Sequence, residues 1–215
     1  MVFVEEKVWG GLMGLGDYRV LFLVVTAVLA LVVASPALSR LLVYPRTEFF
    51  TELWLLDANG GTEDYPFNVS AGGEYGLLLG VGNRLGYCAY YVVQVKFRNQ
   101  SQPAPSSFGS IEERVPSSLP ALFNVTAFVE DEGVWEAPLT FSLDYGFNEA
   151  LMQVEFASLN VNGVVVDLDG QVIVWDAVKG EFRGFLFFEV WLYDAEVDDF
   201  GYDGRFVSLR LNMTA

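Results

Sequence analysis

The sequence predicts an all-β antiparallel sandwich carried behind a single N-terminal transmembrane helix, and three observations predict it. From Val20 to Ser39 no side chain is charged, and Arg19 and Arg40 bound the run. Beyond it, apolar residues recur with period two in segment after segment, separated by breaks rich in Gly, Pro and Asn. The composition is 15 % aromatic with 21 glycines, which favours pleated strands and tight turns over helices. At 215 residues the chain has room for one anchor and one core. We therefore divide it into a short cytoplasmic or interfacial lead (1–19), a membrane helix (20–40) and a folded domain (47–215).

In the lead, Trp9 and Tyr18 are amphipathic rings suited to headgroup depth. The uncharged run that follows has 20 residues, and at about 1.5 Å per residue a helix of that length crosses roughly 30 Å of hydrocarbon. Pro36 lies one turn from its end, a position membrane helices tolerate. A cleaved secretory signal is the competing reading, with Ser35-Pro36-Ala37 as its small-residue site. The lead carries Glu5, Glu6 and Asp17 against Lys7 and Arg19, which is not a basic signal-peptide start and favours an uncleaved anchor. A pilin-type start would put a glycine directly before the apolar run, whereas Asp17-Tyr18-Arg19 separates Gly16 from it. Ala27, Ala30 and Ala34 place small residues on roughly one helix face, a spacing compatible with helix association. Tyr44-Pro45 reads as the interfacial exit.

Orientation follows from glycosylation signals, because the basic residues flanking the helix are balanced. Four of the nine asparagines, Asn68, Asn99, Asn124 and Asn212, stand in N-x-S/T triplets, and all lie after the apolar run. Ser and Thr make up about one residue in eleven, so fewer than one such triplet is expected by chance. The domain is therefore expected outside the cell, carrying N-linked glycans.

Strands are expected in the following order. Trp54-Leu55-Leu56 forms the first and stops at the turn Asp57-Ala58-Asn59-Gly60-Gly61. Tyr75 to Asn99 is the longest alternating stretch, read as a β-hairpin broken at Asn83-Arg84-Leu85-Gly86. Its first half sets Leu77, Leu79 and Val81 against Gly76, Gly80 and Gly82, a bare face that an aromatic ring or another backbone can approach. Cys88, inside this stretch, reads as a small buried hydrophobe. Residues 100–120, rich in Ser and Pro, cannot continue a ladder and read as a surface loop; a helical turn within it is suggested by Ile111, Val115 and Leu119. Phe123–Val129 and Leu139–Tyr145 are further strands. Asn162-Gly163 and Asp169-Gly170 are two-residue hairpin signals. Phe185–Tyr193 reads as a central strand covered on both faces, and Val207, Leu209, Leu211 and Met213 mark a half-buried last strand.

Three segments, from DYPFNVSAGGEYGLLLGVGNRLGYCAYYVVQVKFRNQSQPAPSSF through LFNVTAFVEDEGVWEAPLTFSLDY to FEVWLYDAEVDDFGYDGRFVSLRLNMT, resemble a family of archaeal membrane-anchored proteins without an assigned activity. The resemblance implies an immunoglobulin-like β domain in the cell envelope. It brings no catalytic residues with it.

Chemistry is constrained by what is missing. The chain has no histidine and one cysteine, so a Ser-His-Asp or Cys-His arrangement, a histidine metal site and an intrachain disulfide are all excluded. Neither a G-x-S-x-G elbow nor a phosphate-cradling GK[ST] loop occurs. Residues 47–215 hold 8 basic and 25 acidic side chains, a net charge of −17 that repels phosphate backbones and argues against nucleic acid. Asp194, Glu196, Asp198, Asp199 and Asp203 lie within ten residues, and oxygen ligands at alternate positions suit calcium. That loop lacks the glycine of an EF-hand and has Arg205 where the bidentate Glu would be, so a solvated acidic turn is the simpler reading. No other cofactor is expected. The function expected is binding or structural: an envelope module or an accessory subunit engaging other membrane proteins. The alternatives are a pilin-like filament subunit and an extracytoplasmic carbohydrate-active enzyme, for which the sequence offers many carboxylates and no means of choosing two.

Overall fold

The computed structural model describes residues 15–41, 48–106 and 108–214, with side chains over 18–36 in the first of these. The expectations for residues 1–14 and for the exit at Tyr44-Pro45 lie outside the described residues. Contacts divide the chain into Met1–Thr47 and Glu48–Ala215.

In the first unit a single helix, α1 (Leu15–Leu41), begins five residues before the uncharged run and keeps Pro36 inside it. Its span Tyr18–Pro36 has a mean hydropathy of 2.3, long and apolar enough to cross a membrane. Thr26 turns its hydroxyl back onto the Phe22 carbonyl at 2.8 Å, so the one hydroxyl in mid-span is satisfied within the helix.

The second unit is an immunoglobulin-like β-sandwich. Its strands are β1 (Phe50–Asp57), β2 (Asn68–Ser70), β3 (Glu74–Arg84), β4 (Ala89–Asn99), β5 (Phe123–Val129), β6 (Val134–Asn148), β7 (Gln153–Val161), β8 (Val164–Asp167), β9 (Val172–Val174), β10 (Arg183–Asp194) and β11 (Asp199–Thr214). One sheet runs β1-β3-β6-β7-β8, with β9 also on β7; the other runs β2-β11-β10-β4-β5. Every strand pair is antiparallel except β2 with β11. The alternation legible in the sequence becomes two facing apolar layers: Leu77, Leu79 and Val81 meet Tyr91, Val93 and Val95 in one core. Phe97 and Phe156 touch across it with ring centroids 4.9 Å apart.

Tyr75–Asn99 is not a hairpin. β3 pairs with β1 and β6, while β4 pairs with β10 and β5, so the segment between them is an arch from one sheet to the other. Facing strands and paired strands show the same period-two burial, which is why the pattern alone did not separate them. The arch is held by Asn83, which is fully buried. Its amide donates to the Tyr87 carbonyl at 2.7 Å and the Val129 carbonyl at 2.9 Å, tying β3 to the opposite sheet. Its Oδ1 accepts the Leu85 amide at 3.0 Å and the Tyr91 hydroxyl at 3.3 Å. Cys88, expected to be buried, is exposed on this arch, because the chain has left the core there.

The two Gly-containing turns also differ from one another. Asn162-Gly163 reverses the chain between β7 and β8, with φ of 49° and 83°, as a type I′ turn requires. Asp169-Gly170 makes no hairpin. β8 and β9 run in the same direction along β7, and the dipeptide forms a turn in which the Gln171 amide reaches the Leu168 carbonyl at 2.9 Å.

The glycine face of β3 is covered as anticipated. Trp54 of β1 stands opposite Gly80, and a Cβ built there would lie 2.1 Å from the indole ring. β10 is central and buried on both faces, yet its outer cover is the loop of residues 100–121. Lys96 and Glu189 form a 2.7 Å ion pair beneath that loop, at 3 % and 0 % side-chain exposure. Ser117 completes the pair: its amide donates to Glu189 Oε1 at 2.7 Å and its carbonyl accepts Lys96 Nζ at 3.1 Å. The helical turn expected in the loop is one 3-10 turn, Ile111–Glu113. It packs on Gly204, whose φ is +73° and where an added Cβ would lie 2.7 Å from Ile111, so the position admits no side chain.

Candidate functional site

At the pole where β1 begins, the outer face of the β10 sheet is left open. A groove of about 600 Å³ lies there, lined by Tyr87 and Cys88 from the arch, Phe128 from β5, and Tyr193, Asp194 and Glu196 from the end of β10 and its turn. Tyr90 and Tyr202 also line it. Each position follows from register. Tyr90 is opposite Phe128, and Tyr193 is opposite Phe200. A register shift after Val190 inserts Asp203 and Gly204 into β11, which aligns Tyr202 with Trp191.

The rings form a tilted cluster. Tyr90, Tyr193 and Phe200 lie 5.3 to 6.1 Å apart with mutual angles of 57° to 64°. Phe128 is 68 % exposed and Tyr87 55 %. The Tyr193 hydroxyl donates to Asp198, which pushes its ionisation above the ordinary tyrosine value. Burial pushes Tyr202 up to about 12, with the Glu189 charge adding to the effect. The Tyr202 hydroxyl is buried and has no hydrogen-bond partner among the described residues.

The five carboxylates named from the sequence are not drawn into one ligand set. Asp194 accepts the Glu196 amide at 2.8 Å, Asp199 accepts the Phe200 amide at 2.7 Å, and Asp198 holds Tyr193. Asp203 is in the bulge, paired with Arg205 at 2.8 Å, and burial pushes its carboxyl above the usual range against the pull of that arginine. No group of three metal-ligating side chains converges among the described residues.

The sequon asparagines fall into two kinds. Asn124, on the edge strand β5, is exposed, and so is Asn68. Asn212 donates its amide to Asn68 at 2.9 Å, and Asn99 donates to the Val172 carbonyl at 3.0 Å while its Oδ1 caps the following turn. Asn99 and Asn212 are both half-buried.

Sequence reasoning did not pick out the groove. The available signal was the aromatic Tyr90 on the outward face of a strand whose other outward residues include Gln94, Lys96 and Arg98. No protein-family model matches the chain, and no curated protein does. Among solved structures, a β-glucosidase from Listeria innocua in complex with glucose is similar at 12 % identity and a TM-score of 0.33, over 80 % of this chain and 17 % of that one. The PapD-like domain 7 of human CEP192 is similar at 10 % identity and a TM-score of 0.31, over 81 % of this chain and 92 % of that one. Likenesses of that size carry no argument about function. What the fold and the site define is an immunoglobulin-like β-sandwich following one apolar helix, with an aromatic and acidic groove at one pole.

Proposed function

We propose that this chain is a membrane-anchored, extracytoplasmic binding module of an archaeal cell envelope, held by α1 and engaging a partner through the groove. The observation that carries this reading is the groove itself: Phe128, Tyr87 and Tyr90 stand in solvent on a domain whose core is already closed without them. The sequons support the exterior placement, and Asn124 and Asn68 are the ones whose exposure suits a glycan.

Cys88 supplies the test, because it is the one cysteine of the chain, is exposed, and lines the groove. A membrane-impermeant maleimide applied to intact cells should label it. Labelling that appears only after lysis would place the domain inside and end the reading. Glycopeptide analysis of the same material should find Asn124 occupied.

A further inference from the structure

We infer that the groove takes a cationic side chain, an arginine or lysine presented by an extended segment of a partner protein. The inference rests on the reading of the domain as a binding module and adds the chemistry of what it binds. Three features of the site converge on it. Its lining includes Asp194, Glu196 and Asp203 and, among the described residues, not one basic side chain. Asp203 is neutralised by Arg205, but Asp194 and Glu196 are exposed and enter no ion pair among the described residues, so their charge faces the groove and the solvent. The rings beside them add a second attraction for the same charge, since a guanidinium or ammonium is drawn to an aromatic face.

The shape separates this occupant from the other chemistries that aromatic rings serve. A sugar ring stacks on a flat platform, whereas the lining rings Tyr90 and Tyr193 meet edge to face at 64°. A second copy of the domain, residues 47–215, would bring its own 25 acidic side chains to an acidic pole. An anion would meet the same repulsion. A basic segment meets attraction instead. Such use has a precedent within the molecule: Arg98 lies over the Phe185 ring at 4.0 Å on the same outer face.

Cys88 again reports, now on occupancy. The full-length protein in detergent is treated with uncharged N-ethylmaleimide in the presence of an Arg-Gly repeat peptide, a Gln-Gly repeat and a Glu-Gly repeat, and the rate of modification is followed by intact mass. The arginine peptide should slow modification by about fivefold or more, in line with one cation–π contact and one ion pair; the other two should not. Asp194→Asn with Glu196→Gln should abolish the protection. Glu63→Gln with Asp64→Asn, remote acids on an exposed turn, should leave it in place. Tyr90→Ala should weaken it while the melting temperature is unchanged. No protection by the arginine peptide, equal protection by the glutamine peptide, or equal loss with the remote pair would each overturn the inference. Failure here with Cys88 still labelled on intact cells leaves an exterior module whose ligand is not cationic; failure of that labelling removes the exterior module itself.

Discussion

The outer face of one sheet, shared by β4 and β10, is treated in two opposite ways at its two ends. Toward the middle, Lys96 and Glu189 are buried under residues 100–121, each satisfied by the same backbone unit at Ser117. Toward the pole, Tyr90, Phe128, Asp194 and Glu196 stand open. The strands are the same, so strand propensity does not decide the difference; the path of one loop does. Charge inside the covered end is tolerated because the ammonium meets a carboxylate and a carbonyl and each carboxylate oxygen meets a donor, whereas charge at the open end is left to water and to whatever binds there.

The comparison can be broken most severely at the covered end. Glu189→Ala strands the Lys96 ammonium beneath the loop and should cost about 3–5 kcal/mol, read by denaturant unfolding of the detergent-solubilised chain. Replacing both partners, Lys96→Met with Glu189→Leu, should recover most of that loss. A single variant as stable as the wild type would show that the loop opens to let water in. The other sheet is closed by a ring instead of a loop, and there Gly80→Leu collides with Trp54 and should cost about 1–3 kcal/mol. A thermal melt unmoved by it would show the indole free to swing away.

A third way of holding a carboxylate sharpens the contrast. The Gly61 amide, joined by those of Asn59 and Asp64, holds the Asp57 carboxyl below its ordinary value of 3.8. A depressed acid contributes stability that is present above its unfolded value and disappears as pH falls through the folded one. The acid limb of the stability profile below about pH 4 should therefore be shallower in Asp57→Ala than in the wild type. Parallel limbs would show that other carboxylates control acid unfolding. The smallest effect belongs to the open end: Phe128→Ser, at 68 % exposure, should melt within about 0.5 kcal/mol of the wild type. A larger loss would mean that the groove's rim is structural after all.

Much of the architecture was legible because it is local. Leu77, Leu79 and Val81 and their partners Tyr91, Val93 and Val95 announce buried faces by spacing alone, and the bare face at Gly80 announces a close neighbour. Asn162-Gly163 announces its turn because few other pairs accept two positive φ angles. Legibility ended where the answer depended on a distant partner. Asp169-Gly170 carries the same local chemistry but sits between segments that share one neighbour, β7. Closeness in sequence also left open what each carboxylate faces: the bulge sets Asp203 against Arg205, while Asp194, Asp198 and Asp199 take up partners within their own turn.

By itself the sequence determined the apolar helix, the all-β domain after it, its acidity, and which strand faces are apolar, because hydrophobic period and charge are properties of short stretches. Tertiary structure alone decided that β3 and β4 belong to different sheets, that a Ser- and Pro-rich loop shields an ion pair, and that four aromatic residues from β4, β5, β10 and β11 line one groove beside carboxylates that enter no ion pair among the described residues. The physical reason is common to all three. Pairing, covering and convergence depend on residues tens of positions apart, and the cost of bringing them together is met by the packed core as a whole, not by any local signal.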